Sequence, residues 1–172
     1  MSIVGGPERA SVAYRLRFDE CGADGAIRAG TCLRLAQDVA WVHSEQLGYD
    51  RAWYAERGLM WLVRGVDLAL HVPVTSGVVL VATTRLTGFR RIWARREAWL
   101  ETEVGERVAS ILTDWVMADA SGVPTRIPAE FGARFAEPLP PFEPTAADLP
   151  PAPDVAGRFP FAIRAADLDP FG

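Results

Sequence analysis

Lysine is absent from this sequence. All 18 basic residues are arginines, set against 22 acids, and the net charge is −4. The lysine-free composition fits a GC-rich coding sequence, so no function is taken from it. The acidic balance excludes a general nucleic-acid binder, which needs a basic surface for phosphates; an acidic partner would have to meet a local arginine patch. Cysteine is scarce as well, with only Cys21 and Cys32, eleven positions apart and with no further Cys or His at metal-ligand spacing. That pattern argues against a zinc site or a disulfide framework and leaves reduced thiols in a cytoplasmic protein. No apolar run approaches the roughly 18 residues needed to span a bilayer, and the N-terminus lacks a basic-then-apolar signal. Neither a membrane partner nor a metal or redox cofactor is expected.

What is present suits one soluble domain with some residues to spare: 172 positions, 49% hydrophobic and 23% charged. Residues Val12 to Phe18 alternate, with Val12, Tyr14, Leu16 and Phe18 on one side, as a half-buried strand should. The following "DECGADG" breaks the pattern and reads as a loop. From Thr31, a plausible N-cap, Leu33, Ala36, Ala40, His43 and Leu47 recur at helical spacing, widened by Leu35, Val39 and Val42, and Gly48 stops the run. So broad an apolar face predicts a helix wrapped by other structure. After a short connection the period changes from 3.6 to 2. Four strands follow: "LMWLVRGVDLALH", "VVLVATTRLTGF", "RIWARREAWLE" and "RVASILTDWVMAD".

One strand, one buried helix and a four-stranded meander predict an α+β chain in which a five-stranded antiparallel sheet curls round a single helix, the hotdog architecture. The expected organisation is an N-terminal arm over 1–11, the hotdog domain over 12–131 and a proline-rich linker over 132–157, with residues 158–172 left over. The linker follows from Glu137 to Pro153, which gathers more than half of the 13 prolines with few bulky apolar residues.

The last stretch answers to the first strand. Without gaps, "YRLRFDECGADG" (Tyr14 to Gly25) sets against "FAIRAADLDPFG" (Phe161 to Gly172), pairing Tyr14 with Phe161, Leu16 with Ile163, Arg17 with Arg164, Glu20 with Asp167 and Gly25 with Gly172. Residues 158–172 are therefore expected to be the first strand of a second hotdog, cut short. The stretch from Arg17 through "DECGADGAIRAGTCLRLAQDVAWVHSEQLG", with "GFRRIWARREAW" and "DWVMAD", resembles the N-terminal hotdog of acyl-ACP thioesterases, and "ADLDPFG" resembles the opening of their second hotdog. A chance likeness of "IVGG" at Ile3 to Gly6 to an activated trypsin-like N-terminus has no nucleophile motif beside it.

The resemblance implies a thioester hydrolase that releases a fatty or related acyl group from ACP or CoA, with this chain supplying mainly the acyl pocket. It also implies an Asp, Asn and His in the second hotdog's opening loop. Asp169 matches the Asp, Phe171 stands at the Asn position, and the His would be the residue after Gly172. By the repeat, Gly22, Asp24 and Ala26 occupy the same places in the first hotdog, which leaves Asp24 as a substitute carboxylate or a solvated loop acid. His43 is a candidate general base or a hydrogen-bonded structural residue. It lies roughly 140° round the helix from Asp38, so the two do not face each other. Trp41, Met60 and Trp61 are candidates to line an acyl tunnel, with plain core as the alternative. Arg90, Arg91, Arg95 and Arg96 come from both strand faces and could meet an acidic carrier protein, with a solvated strand face as the alternative. A catalytically silent hotdog that binds an acyl or polyketide-like ligand, or serves as a dimerising half, is the rival reading. Because a lone hotdog leaves sheet uncovered, a homodimer is expected.

Overall fold

The computed structural model describes residues 3–135, 139–144, 151, 157 and 160–163. Six strands form one antiparallel sheet in the order β1-β2-β4-β5-β6-β3. They are β1 (Ile3–Gly6), β2 (Arg9–Arg15), β3 (Leu59–Leu70), β4 (Val79–Arg90), β5 (Trp93–Thr102) and β6 (Arg107–Asp119). The helices are α1 (Ala29–Gln46), α2 (Arg51–Arg57) and the short α3 (Ala129–Gly132). The sheet curls round α1, which packs chiefly on β4, β2 and β5, and this is the expected hotdog.

The sheet has one strand more than the alternation predicts. Ile3–Gly6 pairs with β2 in the register Ile3↔Val12 to Gly6↔Arg9, so the segment read as an arm is an edge strand. Four residues, two of them glycine, carry too little period-2 signal to announce a strand. The second strand also ends earlier than its pattern suggests. Leu16 is buried, but Phe18 is 87% exposed because a 3-10 turn over Phe18–Glu20 intervenes. That turn is fixed by Glu20, whose Oε2 accepts from the Arg17 amide at 2.8 Å.

Helix α1 starts two residues before Thr31, whose hydroxyl instead donates to the Glu20 carbonyl at 2.9 Å and so ties the helix to the preceding loop. Its buried stripe includes Cys32, Leu35, Ala36, Val39, Ala40 and His43, whereas Leu33 is 37% exposed. A fully buried side chain such as Val39 contributes about 1.5–3 kcal/mol of hydrophobic stabilisation. The helix is capped at Leu47, and Gly48 follows with a φ of +87°, the left-handed conformation that lets the chain leave the axis. Two core clusters result. One lies between α1 and β2, β4, β5 and β6 around Val12, Leu80 and Leu100; the other is aromatic, around Tyr49, Tyr54, Phe131 and Phe135.

Packing continues past Phe131. Phe135 is 8% exposed and Leu139 packs on the aromatic cluster. The chain then reaches the opposite face of the sheet, where the Phe89 amide donates to the Pro140 carbonyl at 3.2 Å and the Arg95 guanidinium sits 4.4 Å over the Phe142 ring. Residues 139–144 thus form an extended strap docked on β4 and β5. It fits because residue 88 is glycine: a Cβ there would lie 2.7 Å from Phe142 Cδ1 and 2.9 Å from the Pro140 carbonyl oxygen. Phe161 and Ile163 are exposed and carry no regular secondary structure; most of 158–172 lies outside the described residues.

Candidate functional site

A cavity of about 520 Å³ opens between α1, α2 and the sheet, within the usual size range of small-molecule sites. Its walls are mainly aromatic and aliphatic: Trp41 from α1, Tyr54 from α2, Trp61 from β3, Leu86 from β4, Trp115 from β6 and Phe131 from α3. Arg34, Gln37, Asp38, Glu45 and Arg51, all exposed, ring its mouth. Ala94 and Arg96 lie on the face of β5 that turns toward α1, and both are buried. Ala94 is small, which leaves room above β5 for the cavity.

Most polar groups of the cavity are held by neighbours. Trp61 Nε1 donates to the Tyr54 hydroxyl at 2.9 Å, and that hydroxyl meets Ser44 Oγ at 3.0 Å, while Ser44 donates to the Tyr49 carbonyl at 2.9 Å. Burial raises the Tyr54 pKa above its ordinary value, so the phenol stays neutral. At the mouth, Trp41 Nε1 donates to Glu45 Oε1 at 2.8 Å, Arg34 bonds Glu20 at 3.0 Å, and the Tyr14 hydroxyl donates to Asp38. Burial and the Asp38 carboxylate together push the Tyr14 pKa up.

His43 and Arg96 form the polar part of the interior. His43 is 0% exposed and does not line the cavity. Its Nδ1 accepts from Arg96 Nη1 at 2.9 Å, which makes Nε2 the protonated nitrogen, and Nε2 lies 3.2 Å from the Pro7 carbonyl. Burial, reinforced by the Arg96 charge, pushes the imidazole pKa down from 6.5 to about 4. Both His43 nitrogens are thus engaged and the ring has no exposed surface. Burial also lowers Arg96, to about 10, so it remains a cation at neutral pH.

The other anticipated residues fall in several places. Trp41 and Trp61 meet in the cavity wall, whereas Met60, the next residue along β3, points away from it and lines none of it. Asp24 is exposed in the loop before α1, where Oδ1 accepts from the Ala26 amide at 3.0 Å, and it does not line the cavity. Asp169 lies outside the described residues. The four arginines do not share a surface. Arg95 makes a bidentate pair with Asp114 at 2.7 and 2.7 Å and stacks on Phe142, on the sheet face opposite Arg96. Arg90 pairs with Glu143, and Arg91 stands exposed at the β4–β5 turn with a φ of +55°. Arg96, 9% exposed, is too deep to touch a carrier protein.

Sequence reasoning missed Tyr54, Trp115 and Phe131 as cavity residues. Tyr54 and Phe131 sit outside the long periodic elements, and a strand tryptophan such as Trp115 looks like plain core until the strand's register is known. Among the described residues, no His, Cys, Asp and Glu side chains gather into a group able to hold a metal ion, and no helix is long and apolar enough to cross a membrane.

Comparison with known proteins gives this arrangement a context. No curated protein matches the sequence. Among solved structures, a putative oleoyl thioesterase from Lactobacillus plantarum superposes with a TM-score of 0.79 at 21% identity, over 94% of this chain and 64% of that one. The 12:0-ACP thioesterase from Umbellularia californica gives 0.76 at 18% identity, over 96% of this chain and 69% of that one. A 1,4-dihydroxy-2-naphthoyl-CoA thioesterase from Synechocystis gives 0.64 at 10%, over 70% and 90%. These likenesses show the fold, and the chain spans less than two thirds of the Lactobacillus protein's length. The sequence model of the acyl-ACP thioesterase N-terminal domain matches residues 8–135, which contain every element from β2 to α3. The chain therefore belongs to the acyl-ACP thioesterase family, through that family's N-terminal domain.

Proposed function

We propose that this chain is the acyl-pocket hotdog of a cytoplasmic thioester hydrolase that releases a fatty or related acyl group from acyl carrier protein, in preference to CoA. The observation that carries the reading is the 520 Å³ cavity walled by Trp41, Trp61, Trp115 and Phe131, an apolar slot of the kind an acyl chain fills. The buried free thiols of Cys21 and Cys32 support a reducing compartment. Asp169 is the carboxylate proposed for the chemistry, to attack the thioester carbonyl or activate water. Among the surface arginines, Arg91 is proposed to meet an acidic carrier.

One observation favours a second reading, binding without hydrolysis by this chain alone: Asp24 is engaged by its own loop, and both nitrogens of His43 are engaged in the core. A second copy is the proposed partner. It would pair along β3, the last strand of the sheet, which exposes Leu62, Val63, Val66 and Leu70. Sedimentation of the wild type as a dimer, and of Val63→Lys as a monomer, would support that pairing; a monomeric wild type would remove it.

Hydrolysis is tested by the release of carrier thiol from acyl-ACP and of CoA thiol from acyl-CoA. The expected result is faster release from acyl-ACP, abolished by Asp169→Ala. Saturable acyl-ACP binding with no thiol release would establish the second reading instead.

A further inference from the structure

The cavity's interior wall holds donors without acceptors. Arg96 Nη1 donates to His43 Nδ1 at 2.9 Å and to Thr84 Oγ1 at 3.3 Å, and both partners are neutral. Among the described residues, no carboxylate lies within ion-pair distance of this guanidinium, in contrast with Arg34, Arg85, Arg90 and Arg95. A guanidinium has five N–H donors, and the Nε and Nη2 groups form the fork that matches a carboxylate's two oxygens. Those are the groups that the bonds to His43 and Thr84 leave over.

A second donor stands beside it. Trp115 Nε1 is buried and has no hydrogen-bond partner. Trp115 is directly opposite Ala94 in the β5–β6 ladder, and Arg96 opposite Thr113, so the indole and the guanidinium are diagonal neighbours on one sheet face. Both line the cavity. An orphaned buried N–H and a buried cation without a counter-charge are each costly, and one ligand anion would relieve both.

We propose that the ligand carries a carboxylate at the buried end of its acyl chain, held by Arg96 and Trp115, so that the preferred substrate is an ω-carboxyacyl thioester and not a methyl-terminated one. The proposal rests on the reading of this cavity as an acyl pocket. It assigns the aromatic walls to the methylene chain and leaves the thioester at the mouth, beside Gln37 and Asp38. The guanidinium is still charged at neutral pH, since burial lowers its pKa only to about 10. A neutral hydroxyl in the same place would satisfy the indole but not the charge.

Three tryptophans in the wall make intrinsic fluorescence a direct readout. The full chain is titrated with decanoyl-pantetheine and with the sebacoyl half-thioester of pantetheine, which is the same chain ended by a carboxylate. The expected result is at least about tenfold tighter binding of the sebacoyl thioester, the worth of one charge-assisted hydrogen bond. In Arg96→Met the preference should be lost or reversed, because the carboxylate then meets no cation, while Trp115→Phe, which removes the N–H together with part of the indole ring system and so weakens packing on both ligands alike, should reduce the preference by a few-fold. Exchange of a buried charge for a methionine of similar length is compatible with folding, and the Trp115 variant tests the same site should Arg96→Met fail to fold. Equal or tighter binding of decanoyl-pantetheine by the wild type would overturn the carboxylate assignment and leave the acyl pocket standing. A preference seen only for free decanoate, with the two thioesters equal, would assign Arg96 to the product's carboxylate and overturn it as well. Binding of neither thioester would overturn the acyl pocket itself.

Discussion

Lowering the pH should destabilise this fold through His43. In the native state the ring is 0% exposed, its Nδ1 accepts from the Arg96 guanidinium at 2.9 Å, and its Nε2 faces the Pro7 carbonyl. A proton added at Nδ1 would break the bond to Arg96 and place two cations in contact. The folded pKa is accordingly pushed from 6.5 down to about 4, by burial first and by Arg96 second. In the unfolded chain the same imidazole titrates near its ordinary value, so between those two pH values the unfolded state binds more protons. Stability therefore falls as the pH drops through that window. The loss reaches about 2 kcal/mol by pH 5 and approaches about 3 kcal/mol below pH 4, from 1.36 kcal/mol per pKa unit. Urea unfolding followed by far-UV circular dichroism at pH 7.5 and pH 5 reads this as a midpoint shift of about 1 M. His43→Gln keeps one donor and one acceptor and cannot titrate. Its profile should be flatter than the wild type's by about 2 kcal/mol over the same interval, the carboxylates contributing equally to both. Parallel profiles for the two proteins would refute the reasoning.

Tyr54→Phe deletes the hydroxyl that joins Trp61 Nε1 to Ser44 Oγ and should cost about 1–3 kcal/mol in chemical denaturation. Asp114→Ala removes a 3%-exposed carboxylate from its bidentate pair with Arg95 and should cost about 3 kcal/mol in the same denaturation assay, and Asp114→Glu, which keeps the charge, should lose only part of that. Gly88→Val inserts side-chain atoms where Phe142 and Pro140 lie and should release the 139–144 strap, seen as new protease cleavage within residues 139–144 under native conditions. Cys32, 0% exposed and with its pKa pushed up by burial to about 11, should react with Ellman's reagent only after unfolding.

The fold was legible because its long elements have strong periods. The stripe from Cys32 to His43 and the alternation of Ala94, Arg96, Ala98 and Leu100 each name their buried face. Short elements were not legible: Ile3–Gly6 has no room for a period, and only a hydrogen bond from the Arg17 amide to Glu20 explains why the alternation stops before Phe18. The site was legible in part. Trp41 and Trp61 belong to periodic elements and proved to share a wall, but Tyr54 and Phe131 reach the cavity from short helices whose direction is set by tertiary packing. Arg95 and Arg96 are adjacent in sequence and share a composition signal, yet the strand's two-residue period sends one to Asp114 and the strap and the other to His43 in the core. Adjacent arginines on a strand are split this way, and only the burial of each face tells which of them is surface.

The most direct test of the central claim is whether an acyl chain occupies the cavity beside Trp41, Trp61 and Trp115. Ala94 is 2% exposed and lines the cavity floor, so Ala94→Phe fills it from below without touching the mouth. The measurement is the dissociation constant of decanoyl-ACP for the wild type and for Ala94→Phe, with circular dichroism as the check that both are folded. The account predicts saturable binding by the wild type and its loss in a folded Ala94→Phe. Unchanged affinity in that variant, or no binding by the wild type, would contradict it.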